Sequence, residues 1–223
     1  MGFQIAIDGP AGAGKSTVAK ITAASLGFVY VDTGAMYRAA GLFLQERRTD
    51  LTDDAAMEEV IRQADITLEL QEDGQHIRLN GTDVTGVIRT EEAGMLASRV
   101  SACAGVRRHL VRLQQAIAEG SDIVMDGRDI GTVVLPDAPL KIYLTASVEA
   151  RAGRRLLELQ SKGENPDPEA VRRDIEQRDW QDMHRKESPL RQADDAVLLD
   201  TSDCTAEEAA ARIMELYRER AGV

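Results

Sequence analysis

Cysteine is nearly absent from this 223-residue chain, and the two that occur, Cys103 and Cys204, stand far apart with no CxxC pair and no Cys/His grouping of zinc spacing. No zinc site is framed, and a reducing compartment, the cytoplasm, is expected. No basic segment or long apolar stretch opens the chain, and no window approaches the ~20 apolar residues of a membrane span, so neither export nor embedding is expected. Ala6 occupies the place where myristoylation after Gly2 needs Ser or Thr. Lysine is scarce too: 22 of the 27 basic residues are arginine, which binds phosphate or carboxylate as a planar fork, although a genome-wide codon bias explains the excess as well. With a formal net charge of -11, general affinity for nucleic acid or anionic membrane is disfavoured, and an anionic ligand must meet locally concentrated cations. Internal repeats and low-complexity tracts are missing. The 43% apolar content suffices for one sizeable core, so residues 1–223 are expected to form a single main domain with insertions.

Four short β-like runs stand at 3–8, 28–32, 123–126 and 140–145, with a fifth at 196–200. They alternate with helical stretches, and near-continuous apolar runs such as Val197-Leu198-Leu199 point to a parallel sheet with helices on both faces, an α/β fold. Residues 66–87 break the rhythm: ITLEL and HIRLN alternate apolar and polar residues about the turn Glu72-Asp73-Gly74-Gln75, which predicts a small antiparallel hairpin inserted between the second and third core strands, within about 64–100. A second irregular patch around Ser161-Lys162-Gly163 separates two Arg-rich helices and reads as a plain loop or as a lid spanning about 151–166. Thr205 with Glu208 makes a capping box at the start of the last helix.

Directly after the first run comes Gly9-Pro10-Ala11-Gly12-Ala13-Gly14-Lys15-Ser16-Thr17, which fits G-x-x-x-x-G-K-[ST] and leads into a helical stretch at 18–26. Strand before and helix after is the context this motif requires. Glycines let backbone amides turn inward around phosphate oxygens, Lys15 reaches the β and γ oxygens, and Ser16 can ligate magnesium. No Asn-Lys-x-Asp tetrapeptide and no LSGGQ-like signature occur, which lowers the switch-GTPase and transporter-ATPase readings. Phosphoryl transfer on such a loop needs cations around the transferring group, so clustered arginines near strand ends are the next features to find.

Three groups qualify. The second run ends in Asp32-Thr33-Gly34-Ala35-Met36-Tyr37-Arg38, at the carboxyl edge where open α/β folds bind ligands, though a helix cap followed by an exposed arginine fits equally. The third ends in Asp126-Gly127-Arg128-Asp129-Ile130-Gly131, and a structural salt bridge explains its charges as well. Asp126 itself reads either as an orienter of magnesium or as a loop-ordering carboxylate. The third group lies on a helix capped by Asp167-Pro168, where Val171, Ile175, Arg178, Asp182 and Arg185 form one stripe that begins apolar and ends ionic, either the wall of a polar cleft or a surface salt-bridge ladder. His76, His109 and His184 show no pairing or metal spacing and read as solvated; Trp180 reads as packing or a local lid contact.

The blocks IDGPAGAGKST, DTGAMYR, RTEEAGMLASRVSACAGVRRHL and DGRDIGTVVLPDAPLKIYLTAS, in this order, resemble the bacterial cytidylate kinases over essentially the whole chain. That family more often has Ser where Thr33 stands, and often GKG where this chain has Lys15-Ser16. The resemblance implies a five-stranded P-loop kinase fold, a monophosphate-binding insert and a short lid, with MgATP as phosphoryl donor and CMP or dCMP as acceptor; a monomer without nucleic-acid or membrane partners is expected. Carried over by position, Gly9, Pro10, Ala11, Gly12, Ala13, Gly14, Lys15, Ser16 and Thr17 would hold ATP, with Ser16 on magnesium. Thr33, Arg38, Arg128 and Arg185 would surround the acceptor phosphate, Ser98, Arg107 and Asp129 would read cytosine, and Arg178 and Asp182 would hold the sugar hydroxyls. Lys15, Arg128 and Arg185 would carry the catalysis, with Arg151, Arg154 and Arg155 as lid arginines. Rival readings are a kinase for AMP, UMP or a sugar acid, and a nucleotide-binding regulator that catalyses nothing.

Overall fold

The computed structural model describes residues 2–71 and 74–223; Met1 and the Glu72-Asp73 half of the expected hairpin turn lie outside the described residues. The chain divides into two units, one of residues 1–30 with 120–223 and one of residues 31–119. In the first, β1 (Gln4–Asp8), β6 (Ile123–Gly127), β7 (Leu140–Thr145) and β8 (Val197–Asp200) carry the sheet, whose full order with β2 (Val29–Asp32) is β2-β6-β1-β7-β8. The pairs β1·β6, β1·β7 and β7·β8 are all parallel, and the class is α/β as expected.

Central strands follow from near-continuous apolar sequence: β6 is buried at every position. Ile5 and Ile7 of β1 pack with Val124, Leu140, Ile142 and Leu144 under two helices, α1 (Lys15–Leu26) through Val18, Ala19 and Ala23, and α8 (Ala206–Ala221) through Ala209, Ala210 and Ile213. Thr205 closes the capping box at the head of α8, its hydroxyl receiving Glu208 N while the Glu208 carboxylate receives Thr205 N. The run Val197-Leu198-Leu199 departs from expectation. Leu198 is 57% exposed because β8 is the edge of the sheet, where only Val197 and Leu199 face covered surface. Helices α6 (Val148–Ser161) and α7 (Pro168–His184) pack through Leu159, Val171 and Ile175.

The second unit builds its own core from α2 (Thr33–Glu46), α3 (Asp54–Ile61), α5 (Ala104–Ala118) and an antiparallel sheet of β3 (Ile66–Gln71), β4 (Gly74–Leu79) and β5 (Thr82–Asp83). Met36, Phe43, Leu44, Met57, Ile61, Ile66, Ile77, Leu79, Val106 and Leu110 meet there. The third strand was not foreseen, although its signal is plain. Asn80 and Gly81 both take positive φ, at 49° and 79°, and join Leu79 to Thr82 in a two-residue turn of the Asn-Gly kind.

Helix α4 (Glu91–Val100) lies against α2 at Gly41, where an added Cβ would stand 2.8 Å from Leu96 Cβ and 3.2 Å from its carbonyl carbon. Alanine favours helix over glycine by about 1 kcal/mol, but overpacking against backbone costs about 1–3 kcal/mol. Gly41→Ala should therefore lower stability despite the better helix former, and a urea midpoint equal to or above that of the parent chain would show that α4 yields freely.

Candidate active site

Strand β1 runs into the glycine-rich loop, and the loop into α1, whose N-cap is Gly14 at φ 89°, a conformation that only glycine takes without strain. No side chain caps α1 and no acid stands in its first turn, so its leading amides and positive dipole end remain directed to the loop. Lys15 is buried, and its Nζ donates to Pro10 O at 2.8 Å. Burial, with the Arg128 guanidinium beside it, holds this ammonium well below the usual lysine range, against the pull of Asp126, Asp182 and Asp8. Ser16 Oγ donates to Asp126 Oδ2 at 2.9 Å, and the Tyr30 hydroxyl donates to Asp126 Oδ1 at 2.8 Å. A serine hydroxyl beside a buried strand-end carboxylate is an oxygen donor set of the kind that suits magnesium carried on a nucleotide.

Register places the second motif beside the first. Asp8 pairs with Gly127, so the loop after β1 and the turn Arg128-Asp129 leave adjacent strand ends. Arg128 Nε donates to Asp182 Oδ2 at 2.7 Å, the other Asp182 oxygen lies 3.9 Å from Arg185 NH1, and Arg185 NH2 lies 3.7 Å from Asp129 Oδ1. Four residues selected from sequence are thus brought together: Arg128, Asp129, Asp182 and Arg185. Arg178 is not among them, because its Nε pairs with Asp174 at 3.0 Å, one turn back on α7.

In the second unit, Asp32 caps α2 by accepting from Ala35 N at 2.9 Å and receives Arg38 NH2 at 2.8 Å on its other oxygen. Thr33, the first residue of α2, is buried. Arg38 Nε is buried without a hydrogen-bond partner, a donor available to an incoming anion. Arg107 is buried with its guanidinium over the Tyr37 ring at 5.5 Å, and donates to Ser101 O at 3.3 Å. Ser98 is exposed, and its carbonyl accepts from Ser101 Oγ at 2.8 Å.

The three candidate lid arginines have different surroundings. Arg151 is buried, donating to Ala11 O of the glycine-rich loop at 3.0 Å and to Ala146 O at 2.9 Å, and pairing with Asp179 at 2.6 Å. Arg154 is held by Thr201, through its carbonyl and its hydroxyl, and Arg155 pairs with Glu158 on the surface of α6. Trp180 does not pack in a core: it is 63% exposed and stacks on His184. His76 is not unpaired either, since Nδ1 meets Asp83 Oδ2 at 2.6 Å across β4 and β5.

Asp8, Tyr30 and Asp179 were missed in the sequence. Asp179 falls four residues after Ile175 and eight after Val171, on the same helical stripe, so spacing could have found it. Asp8 carried only a positional signal, an acid closing an apolar strand. Its oxygens accept from Ile130 N and Gly131 N, each at 2.7 Å, and burial raises its pKa to about 6 although those two amides pull it down.

Residues 5–219 match the family model described as cytidylate kinase. The cytidylate kinase of Lactobacillus johnsonii is 48% identical over 218 residues, covering 98% of this chain and 95% of that one. The cytidylate kinase of Thermotoga sp. strain RQ2 is 49% identical over 220 residues, covering 99% of each. A shikimate kinase from Bacteroides thetaiotaomicron superposes with a TM-score of 0.50 at 15% identity, over 97% of this chain and 98% of that one, a likeness of fold alone.

The raised pKa of Asp8 has a thermodynamic consequence. Between the ordinary aspartate value of 3.8 and about 6 the folded chain keeps a proton that the unfolded chain has released, so this group's contribution to stability falls as pH rises through that window. The full change is about 3 kcal/mol at 1.36 kcal/mol per pKa unit. Urea denaturation of the parent chain and of Asp8→Asn from pH 4 to pH 7 should show the parent losing stability relative to the variant by an amount of that order; a difference independent of pH would mean that Asp8 titrates normally.

Proposed function

Since the chain belongs to the cytidylate kinase family, we propose that it transfers the γ-phosphoryl group of ATP to CMP or dCMP, giving ADP and CDP or dCDP. The observation that carries this reading is the Asp8–Gly127 register, which sets the phosphate loop and the Arg128-Asp129 turn on neighbouring strand ends, with Arg128 and Asp182 close enough to Lys15 to shift its ionisation.

On the donor side, Gly9 to Thr17 hold the phosphates through backbone amides, and Arg151 braces the loop from beneath at Ala11 O. Lys15 must exchange Pro10 O for phosphate oxygens, and arriving anionic charge restores its affinity for the proton that burial weakened. Ser16, with Asp126 behind it and Tyr30 orienting Asp126, would hold magnesium, which when bound supplies positive charge that screens the phosphate chain.

For the acceptor, the family reading assigns phosphate contacts to Thr33 and to Arg38, through its unpartnered Nε, in the second unit, and to Arg128 and Arg185 in the first. The acceptor oxygen is already anionic, so direct in-line transfer needs no general base, and rate comes from positioning and from cations around the transferring group. In the first unit Asp129 would accept from the exocyclic amine of cytosine, and Asp182 would bond a sugar hydroxyl while it holds Arg128; in the second, Arg107 and Ser98 are the ring donors that the family reading assigns. Arg178 joins the sugar only by leaving Asp174. Closure of the 151–166 segment would exclude water and limit hydrolysis of ATP.

An ADP-release assay across AMP, CMP, GMP and UMP tests the assignment as a whole, and turnover that prefers AMP, or that needs no acceptor, would refute it. Lys15→Ala should reduce kcat by roughly 100- to 1,000-fold, the scale of one lost transition-state donor, with circular dichroism unchanged. Near-parental turnover in that variant would remove the phosphate-loop reading. Asp129→Ala should reduce kcat/KM for CMP far more than for UMP, because an ionised carboxylate attracts the amine of cytosine and repels the carbonyl of uracil. Equal losses for both bases would reduce Asp129 to an organiser of its loop.

A further inference from the structure

In sequence Asp8 is the last residue before the phosphate loop, yet its carboxylate serves a different segment. Oδ1 accepts from Ile130 N and Oδ2 from Gly131 N, each at 2.7 Å, across to the segment that leaves β6. These two amides open a single wide turn of π-type helix, Ile130–Val134, and the turn cannot satisfy them itself. Its own bonds begin later: Val133 N and Val134 N donate to Asp129 O at 2.9 and 3.2 Å, and Leu135 N to Ile130 O at 2.7 Å. At Gly131 the turn runs close to Lys141, where a Cβ would stand 3.1 Å from Cδ, while Asp8 Oδ2 would lie in ordinary contact at 3.4 Å. Lys141 is itself buried and fixed by Pro136 O and Asp195, so one side of the turn is walled and the other is tied to Asp8.

Arg128 and Asp129 are the two residues that precede this turn, and the carbonyl of Asp129 begins its hydrogen bonding. We propose that Asp8 is a positioning residue for the acceptor nucleotide: by anchoring the turn after Arg128 and Asp129 it sets where those side chains point, and so governs affinity and base choice for the pyrimidine monophosphate rather than the binding of ATP. This rests on the reading of Arg128 and Asp129 as acceptor-binding residues. A buried carboxylate beside a phosphate loop would ordinarily be assigned to that loop, and the hydrogen bonds here contradict that assignment. The β1·β6 and β1·β7 pairings hold the Asp8 backbone on both sides, so removing its side chain's bonds frees the turn, not the strand.

The test uses the full chain with Asp8→Asn and Gly131→Ala, measured for KM and kcat with CMP, UMP and ATP, and by thermal melting, beside Asp129→Ala. Asparagine keeps the shape but turns an NH2 toward one of the two amides, so one bond is lost and a donor faces a donor. KM for CMP should rise by about tenfold while KM for ATP stays within about twofold, and the preference for CMP over UMP should shrink. Gly131→Ala, which leaves the carboxylate intact but crowds the turn against Lys141 Cδ at 3.1 Å, should displace the turn by another route and give the same pattern. A rise in KM for ATP equal to that for CMP, or a lower melting temperature with both KM values unchanged, overturns the proposal. If Asp8→Asn fails to fold, Gly131→Ala decides by the same comparison. An unchanged CMP-to-UMP ratio in Asp129→Ala sinks the parent reading whatever Asp8 does, whereas a changed ratio there beside an unchanged one in Asp8→Asn sinks this inference alone.

Discussion

A charge taken out of water persists only where donors or counter-charges replace its hydration, and the first unit is organised around meeting that requirement. Asp8, Lys15, Asp126, Asp129 and Arg151 are all buried. Each has its compensation: backbone amides for Asp8, a carbonyl for Lys15, a tyrosine and a serine hydroxyl for Asp126, Arg185 for Asp129, and Asp179 with two carbonyls for Arg151. Apart from Pro10 for Lys15 and Ala146 for Arg151, the partners come from segments remote in sequence, so most of these charges can be borne only when the sheet is correctly ordered. A parallel sheet suits this arrangement because its central strands release their loops on one edge, which concentrates polar groups there and leaves the rest of each strand apolar.

The same interactions hold the site in readiness. Lys15 on Pro10 O and Arg128 on Asp182 each have a substitute partner that a nucleotide can displace or join. Because these groups already sit in low-dielectric surroundings, in the proposed reading they would offer phosphate charge cations that need little reorganisation, which is where enzymes of this chemistry gain most of their rate. Arg151 and Tyr30 contribute at one remove, the first by supporting the loop backbone and the second by orienting Asp126.

The second unit solves a simpler problem. An apolar cluster of α2, α3, α5 and the small sheet supports two arginines, each held in part by nearby chain: Arg38 by the Asp32 that caps its own helix, Arg107 by the carbonyl of Ser101, with Tyr37 of the remote α2 beneath its guanidinium. Short-range contacts of this kind depend on caps and helical spacing, which is why DTGAMYR could be interpreted before any fold was known.

Local rules settled much of this protein from sequence alone. Strand positions, the glycine-rich loop with its helix, the capping box at Thr205 and the apolar start of the α7 stripe all follow from periodicity and turn chemistry within a few residues, and family resemblance needs only the order of the blocks. Asn80-Gly81 was equally legible and was overlooked. What sequence could not decide are pairings across long separations. Whether Arg178 or Asp179 faces inward depends on the small rotation at which α7 packs on α6, and Leu198 is exposed because β8 happens to be the last strand of the sheet. That Asp8 serves the turn at Ile130–Gly131, 122 residues away, and not the loop it adjoins, is set by the register of β1 against β6. Register is a property of the assembled sheet: each strand's own residues specify that it is a strand, while only the packed neighbours determine which residue ends up beside which.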